Sequence, residues 1–151
     1  MRWVSVQEHD FNVQDEYDLL CQSNADDGAI VFFVGRVRDL NEGDEVKALT
    51  LEHYPGMTEK SLHAIIDKAC DRWALNRVRV IHRVGTMLPS EQIVFVAVSS
   101  PHRGDSFNGA EFIMDYLKTQ APFWKKESTE DGERWVTAKQ TDSEQANQWQ
   151  K

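Results

Sequence analysis

The chain has 151 residues, of which 40% are hydrophobic and 28% charged, and a formal net charge of −8. That length suits one domain, residues 1–151, with a core of its own, and the composition is that of a folded chain, not a disordered one. No apolar run approaches the roughly 20 residues of a membrane helix, and an acidic balance argues against a general nucleic-acid binder, which needs a basic surface to release counterions.

In chain order, residues 3–6 read as a short strand and residues 14–21 as a helix, with Asp15 and Glu16 suited to its positive end. Residues 29–38 (AIVFFVGRVR) are rich in β-branched and aromatic types and predict a strong strand. Residues 40–44 (LNEGD) make a polar turn, and residues 46–53 alternate, with Leu49, Leu51 and His53 on one side. Leu62, Ile65, Ile66, Ala69, Cys70 and Trp73 then recur at helical spacing, with Thr58 as the expected N-cap. Residues 77–84 form a strand with Val78, Val80, His82 and Val84 on one face and Arg77, Arg79, Ile81 and Arg83 on the other. Residues 93–98 (IVFVAV) suit a strand buried on both faces.

A second long helix is expected over residues 105–119, its buried stripe marked by Phe107, Ala110, Ile113, Met114 and Leu117, and Pro122 stops it. Residues 134–138 suggest a last strand and the tail from Asp142 a short helix. The fold class is therefore α+β, or mixed α/β, with helices packed on a mostly antiparallel sheet.

Charge is unevenly spread. Between Trp3 and Gly35 there are seven acids and no Lys or Arg, whereas residues 36–125 carry 12 of each sign. A small anion needs only a few converging cations, and three places offer them. Arg36 and Arg38 lie two apart at the end of a strand, so alternation puts both on the face of Ile30, Phe32 and Val34. They suit a phosphate or carboxylate, or a plain solvated strand end. Ser99-Ser100-Pro101-His102-Arg103 joins the buried strand to the second helix. Free backbone N–H groups there, with His102 and Arg103, make an anion site; Ser100 or Asp105 as an N-cap is the plainer account.

The third place is Lys118 and Lys125, on either side of a proline-stopped turn. Apolar cover from Phe123 and Trp124, and a second lysine nearby, both disfavour the charged amine. Such a lysine serves as a nucleophile or a general acid/base; Lys118 also simply suits a helix C-terminus. Cys21 and Cys70 are too few for a zinc site and too far apart for a CxxC pair, the opening MRWVSVQEHDF has no apolar signal segment, and a reduced, cytoplasmic protein is the expectation. His82 reads as a core histidine.

The segments GRVRD (35–39), LTLEHYPGMTEK (49–60), VRVIHRVG (78–85), IVFVAVSSPHR (93–103) and FIMDYLKTQAPFWKKE (112–127) resemble the large, catalytic subunit of molybdopterin synthase over most of the chain. The resemblance implies an α/β hammerhead-type fold and a homodimer, with a small ubiquitin-like sulfur-carrier subunit at each end of a heterotetramer. It implies a sulfurtransferase that inserts two sulfurs into cyclic pyranopterin monophosphate, each supplied as a thiocarboxylate on the carrier's C-terminal glycine. Residue by residue, it makes Lys118 and Lys125 catalytic, and Arg36, Val37, Arg38, His102, Arg103, Lys126 and Glu127 substrate-binding alongside them. From the residues themselves no metal site and no cofactor is expected. Lys139 stands where relatives often carry an arginine that reaches the neighbouring subunit. The reading from another class is a non-catalytic module that binds the carrier or a phosphorylated ligand without turnover.

Overall fold

The computed structural model describes residues 1–41, 43–136 and 140–150. Its first sheet is built on the IVFVAV run, which lies in β8 (Gln92–Ser100) and is buried throughout residues 94–100. β6 (Arg77–Arg83) pairs antiparallel with one edge of β8 and β2 (Ala29–Arg36) with the other; β1 (Arg2–Gln7) joins β6 in parallel. The order is β1-β6-β8-β2.

Both faces of this sheet are covered, so β8 is continuously apolar and does not alternate. On one face pack α2 (Met57–Arg72) and α3 (Arg103–Gln120), which bury Leu62, Ile66, Val80, Val96, Ala110 and Ile113 in one core. On the other, α1 (Val13–Cys21) sets Leu20 against Ile81, Phe95 and Ala97. Arg77 and Arg79 of β6 hold α1 on that second face. Arg77 Nη1 donates to the carbonyls of Leu19 (2.9 Å) and Gln22 (2.6 Å), satisfying the helix's open end, and Arg79 Nε donates to Glu16 at 2.8 Å.

The second sheet is wholly antiparallel, in the order β10-β9-β5-β7: β10 (Gly132–Val136), β9 (Phe123–Thr129), β5 (Ala48–His53) and β7 (Gly85–Met87). Val37, Leu49, Leu51, Val84 and Met87 form its core, into which Val6 and Ile93 of the first sheet pack. The short hairpin β3 (Leu40–Asn41) and β4 (Asp44–Glu45) turns through Gly43, at φ +83°. α4 (Gln140–Asn147) leads to a 3₁₀ turn whose Trp149 seats on Trp73 and Phe112 and donates Nε1–H to Asp115 at 2.6 Å.

This is the expected α+β architecture of helices on mostly antiparallel sheets, but the strands divide between two sheets. Three local expectations are corrected. Phe107 is 60% exposed; Ala110, Ile113 and Leu117 are buried as expected, and Ser106 and Gly109 take the place of Phe107 on the buried face of α3. The N-cap of α2 is Gly56, whose N–H donates to Glu59 at 2.8 Å, and Thr58 lies within the helix. The N-cap of α3 is His102; Ser100 instead donates to the His102 carbonyl at 2.6 Å, and Asp105 accepts from the Ala74 N–H at 3.3 Å. Among the described residues no helix is long and apolar enough to cross a membrane.

Candidate active-site cleft

β9 sets one wall of the site. Its side chains alternate, so Phe123, Lys125 and Glu127 turn to one face and Trp124 and Lys126 to the other. The inward face borders a cleft of about 280 Å³. α3 ends at Gln120, and its last turn delivers Leu117 and Lys118 to the same space. The end of β2 closes another side with Arg36, Val37 and Arg38, β6 adds His82, and α4 adds Asp142.

All three residues at the end of β2 reach the cleft because alternation breaks there. The register with β8 shifts between Gly35 and Arg36, a bulge that re-aims the following side chains. Strict alternation through Arg38 is thus corrected: the strand stops at Arg36, and Val37 is buried between its two neighbours. Arg36 Nε donates to the Ser90 carbonyl at 3.2 Å. Arg38 and Lys118 are both exposed and make no hydrogen bond or ion pair among the described residues.

Glu127 is 3% exposed. Its Oε1 accepts from Asn41 Nδ2, which ties the β3–β4 hairpin to β9, and Arg134 stands 3.7 Å from Oε2 while donating to the Asn41 carbonyl at 3.1 Å. Four cations (Arg36, Arg38, Lys118, Lys125) and two carboxylates (Glu127, Asp142) line the cleft. The cleft lining therefore carries a local excess of positive charge in a chain of net charge −8, an arrangement that attracts anions.

His82 is 4% exposed, stacks on Phe123 with ring centroids 3.9 Å apart, and sets Nδ1 2.9 Å from the Arg83 carbonyl. Burial pushes its pKa down to about 3, and the charges of Lys118, Lys125 and His53 push the same way against that hydrogen bond. Both lysines therefore act on one buried ring from two different elements.

Three expected site residues lie elsewhere in this chain. His102 and Arg103 stand at the start of α3 and Lys118 in its last turn, which separates them by roughly 22 Å along the axis. Lys126 is on the outer face of β9, 3.3 Å from Glu133 and over the ring of Trp135, because it alternates with Lys125. Trp124, expected to cover Lys125, shares that outer face and is 48% exposed. Lys139 falls outside the described residues. Phe123, the other expected cover of Lys125, does line the cleft, whereas sequence reasoning missed His82, Asn41 and Asp142; the recurrence of His82 with Val78 and Val80 was the available signal for the first of these.

Comparison with known proteins identifies the family. The family model described as "MoaE protein" matches residues 6–120. A molybdopterin synthase catalytic subunit from Vibrio cholerae is 58% identical over 147 residues, covering 97% of each chain. Among solved structures, the molybdopterin biosynthesis MoaE protein from Burkholderia ambifaria superposes with a TM-score of 0.86 at 50% identity, over 100% of this chain and 99% of that one. Molybdopterin synthase from Staphylococcus aureus superposes at 0.81 with 32% identity, over 88% and 96%. The chain belongs to the MoaE family, the family of molybdopterin synthase catalytic subunits.

Proposed function

We propose that this chain is the catalytic subunit of a molybdopterin synthase and that the cleft between Lys118 and Lys125 is its reaction site. Cyclic pyranopterin monophosphate receives two sulfurs there, each delivered as the C-terminal thiocarboxylate of a small ubiquitin-like carrier subunit. The observation that carries this reading is the convergence of Arg36, Arg38, Lys118 and Lys125 on one cleft of an otherwise acidic chain.

Both reactants are anionic, and the cleft divides their demands. The guanidiniums of Arg36 and Arg38 suit the phosphate. Lys118, exposed at a helix end, stands beside the incoming thiocarboxylate and supports the acyl–sulfur chemistry by charge and proton transfer. Lys125, half-buried on β9, activates the reacting carbons of the pterin, and Glu127 holds the floor. Cys21 and Cys70 are free thiols that do not line the cleft, so sulfur comes from the carrier. Free thiols and the absence of a membrane-spanning helix among the described residues fit a cytoplasmic enzyme.

His102 and Arg103 reach a phosphate in this cleft only from a second copy of the chain, in the homodimer this reading includes. β2 is an edge strand with Phe32 and Phe33 exposed, at 45% and 44%, which suits a contact between copies.

The test is a single-turnover assay with thiocarboxylated carrier and pterin precursor. Lys118→Ala is expected to abolish product while leaving carrier binding intact; product at the parental rate refutes the assignment. A module that only binds the carrier would tolerate loss of both lysines with no change in its one measurable property.

A further inference from the structure

The proposed reaction gives His82 no role, yet the structure holds its ring on two sides. One face stacks on Phe123, inclined by 22°, and Nδ1 lies 2.9 Å from the Arg83 carbonyl. A carbonyl only accepts, so Nδ1 carries the proton, and Nε2 of the neutral ring keeps its lone pair. His82 lines the cleft. A cleft rich in donors thus contains one rigid, uncharged nitrogen acceptor.

Lys118 of α3 and Lys125 of β9 line the same cleft as this ring, and their charges, with that of His53 on β5, oppose its protonation. Lys118 is exposed and has no hydrogen-bond partner among the described residues. A lysine carries several free rotors, and fixing its amine costs conformational entropy. An acceptor mounted on a central strand reduces that cost at the moment of reaction.

Building on the sulfur-transfer reading above, we infer that His82 is a positioning residue: with substrate in the cleft, its Nε2 accepts a hydrogen bond from the Lys118 amine and aims that amine at the transferred sulfur. The ring takes no proton and forms no bond to substrate. It stays an acceptor at every working pH because burial and the surrounding cations oppose its protonation.

Two variants, His82→Phe and His82→Gln, assayed with thiocarboxylated carrier and pterin precursor, separate this role from packing. Phe keeps a ring on Phe123 and deletes Nε2; Gln deletes the ring and returns an acceptor near the same place. Positioning predicts that His82→Phe lowers kcat roughly tenfold or more, with KM unchanged within about twofold, and that His82→Gln recovers most of the loss. The pH limb belonging to the amine also moves to lower pH in His82→Phe, since a lost acceptor disfavours the ammonium. The opposite order, Phe tolerated and Gln impaired with an unmoved limb, overturns the inference.

If His82→Phe fails to fold by circular dichroism, imidazole nitrogen shifts of the parent chain decide. A bare Nε2 supports the inference and an Nε2–H tautomer overturns it. Lys118→Ala keeps the two readings apart. An inert Lys118→Ala beside a fully active His82→Phe removes the role of His82 alone, whereas an active Lys118→Ala removes the reaction site itself and this inference with it.

Discussion

Arg38→Ala probes the anion-binding half of the site, and the structure sets the expected size of its effect. Arg38 is exposed on the cleft wall and makes no hydrogen bond or ion pair among the described residues, so its whole guanidinium fork is available to a ligand. Charge-assisted bonds of this kind contribute about 1.5–3 kcal/mol, which is about 10–150-fold in affinity. Arg36 has less to offer, because its Nε already donates to the Ser90 carbonyl at 3.2 Å. Arg36→Ala is therefore expected to weaken binding by only about 3–10-fold. Arg38→Lys keeps the charge and loses the fork, and falls between parent and Arg38→Ala. Because Arg38 faces solvent, the difference shrinks as the Debye length contracts from about 10 Å at 0.1 M salt to about 3 Å at 1 M. Isothermal titration of cyclic pyranopterin monophosphate against the three variants at two ionic strengths measures all of this. Parental affinity for Arg38→Ala with an unchanged salt slope refutes the phosphate assignment, and a larger loss for Arg36→Ala refutes the argument from the free fork.

Stability should depend on pH through His82. Its folded pKa of about 3 lies below the ordinary 6.5, so the unfolded chain binds the proton more readily between these values. Stability is then complete above pH 6.5 and falls as pH drops towards 3, at up to about 1.4 kcal/mol per pH unit and about 5 kcal/mol in all. Urea denaturation across this range is expected to show that slope in the parent and a flatter one in His82→Gln; parallel slopes contradict the assignment. Gly28→Ala is expected to destabilise the fold by about 1–3 kcal/mol, because a Cβ there would sit 2.8 Å from the backbone carbonyl of Pro101. An unchanged melting temperature would show that this close approach relaxes freely.

What the sequence disclosed depended on whether packing alone chose the residues. β8 and α2 serve mainly the core, so their apolar patterns disclosed both type and burial. β9 was not legible as a strand because charged residues occupy its inward, cleft-lining face. The sequence FWKKEST puts Phe123, Lys125 and Glu127 on one side and Trp124 and Lys126 on the other, so no hydropathy alternation survives. The bulge at Gly35 and Arg36 leaves no periodic mark either, although it decides that Val37 joins both arginines at the cleft. His82 was legible in its burial and not in its role. Its face of β6 is apolar, and only the later arrival of α3 and β9 in space turns that face into a cleft wall. The two lysines were found from a local signal, the proline-stopped helix end, and it is the strand after the proline that brings Lys125 back to Lys118.

The placement of His102 and Arg103 leads to a prediction about assembly. α3 is a helix of 18 residues with His102 as its N-cap, Arg103 as its first residue and Lys118 in its last turn, and no side chain spans the roughly 22 Å between them. If Arg103 serves the reaction, it does so in the cleft of a second copy. Chains carrying Lys118→Ala and chains carrying Arg103→Ala are then complementary. After unfolding and refolding an equal mixture, half of the dimers pair one chain of each kind. In each of these, one cleft combines an intact Lys118 with an intact Arg103, and the other has neither. The mixture should recover about one quarter of parental activity, well above either variant alone. Residues acting within one chain would give only the mean of the two variants. That outcome would leave Arg103 as a residue of the α3 start, and Arg36 and Arg38 as the phosphate's guanidinium partners.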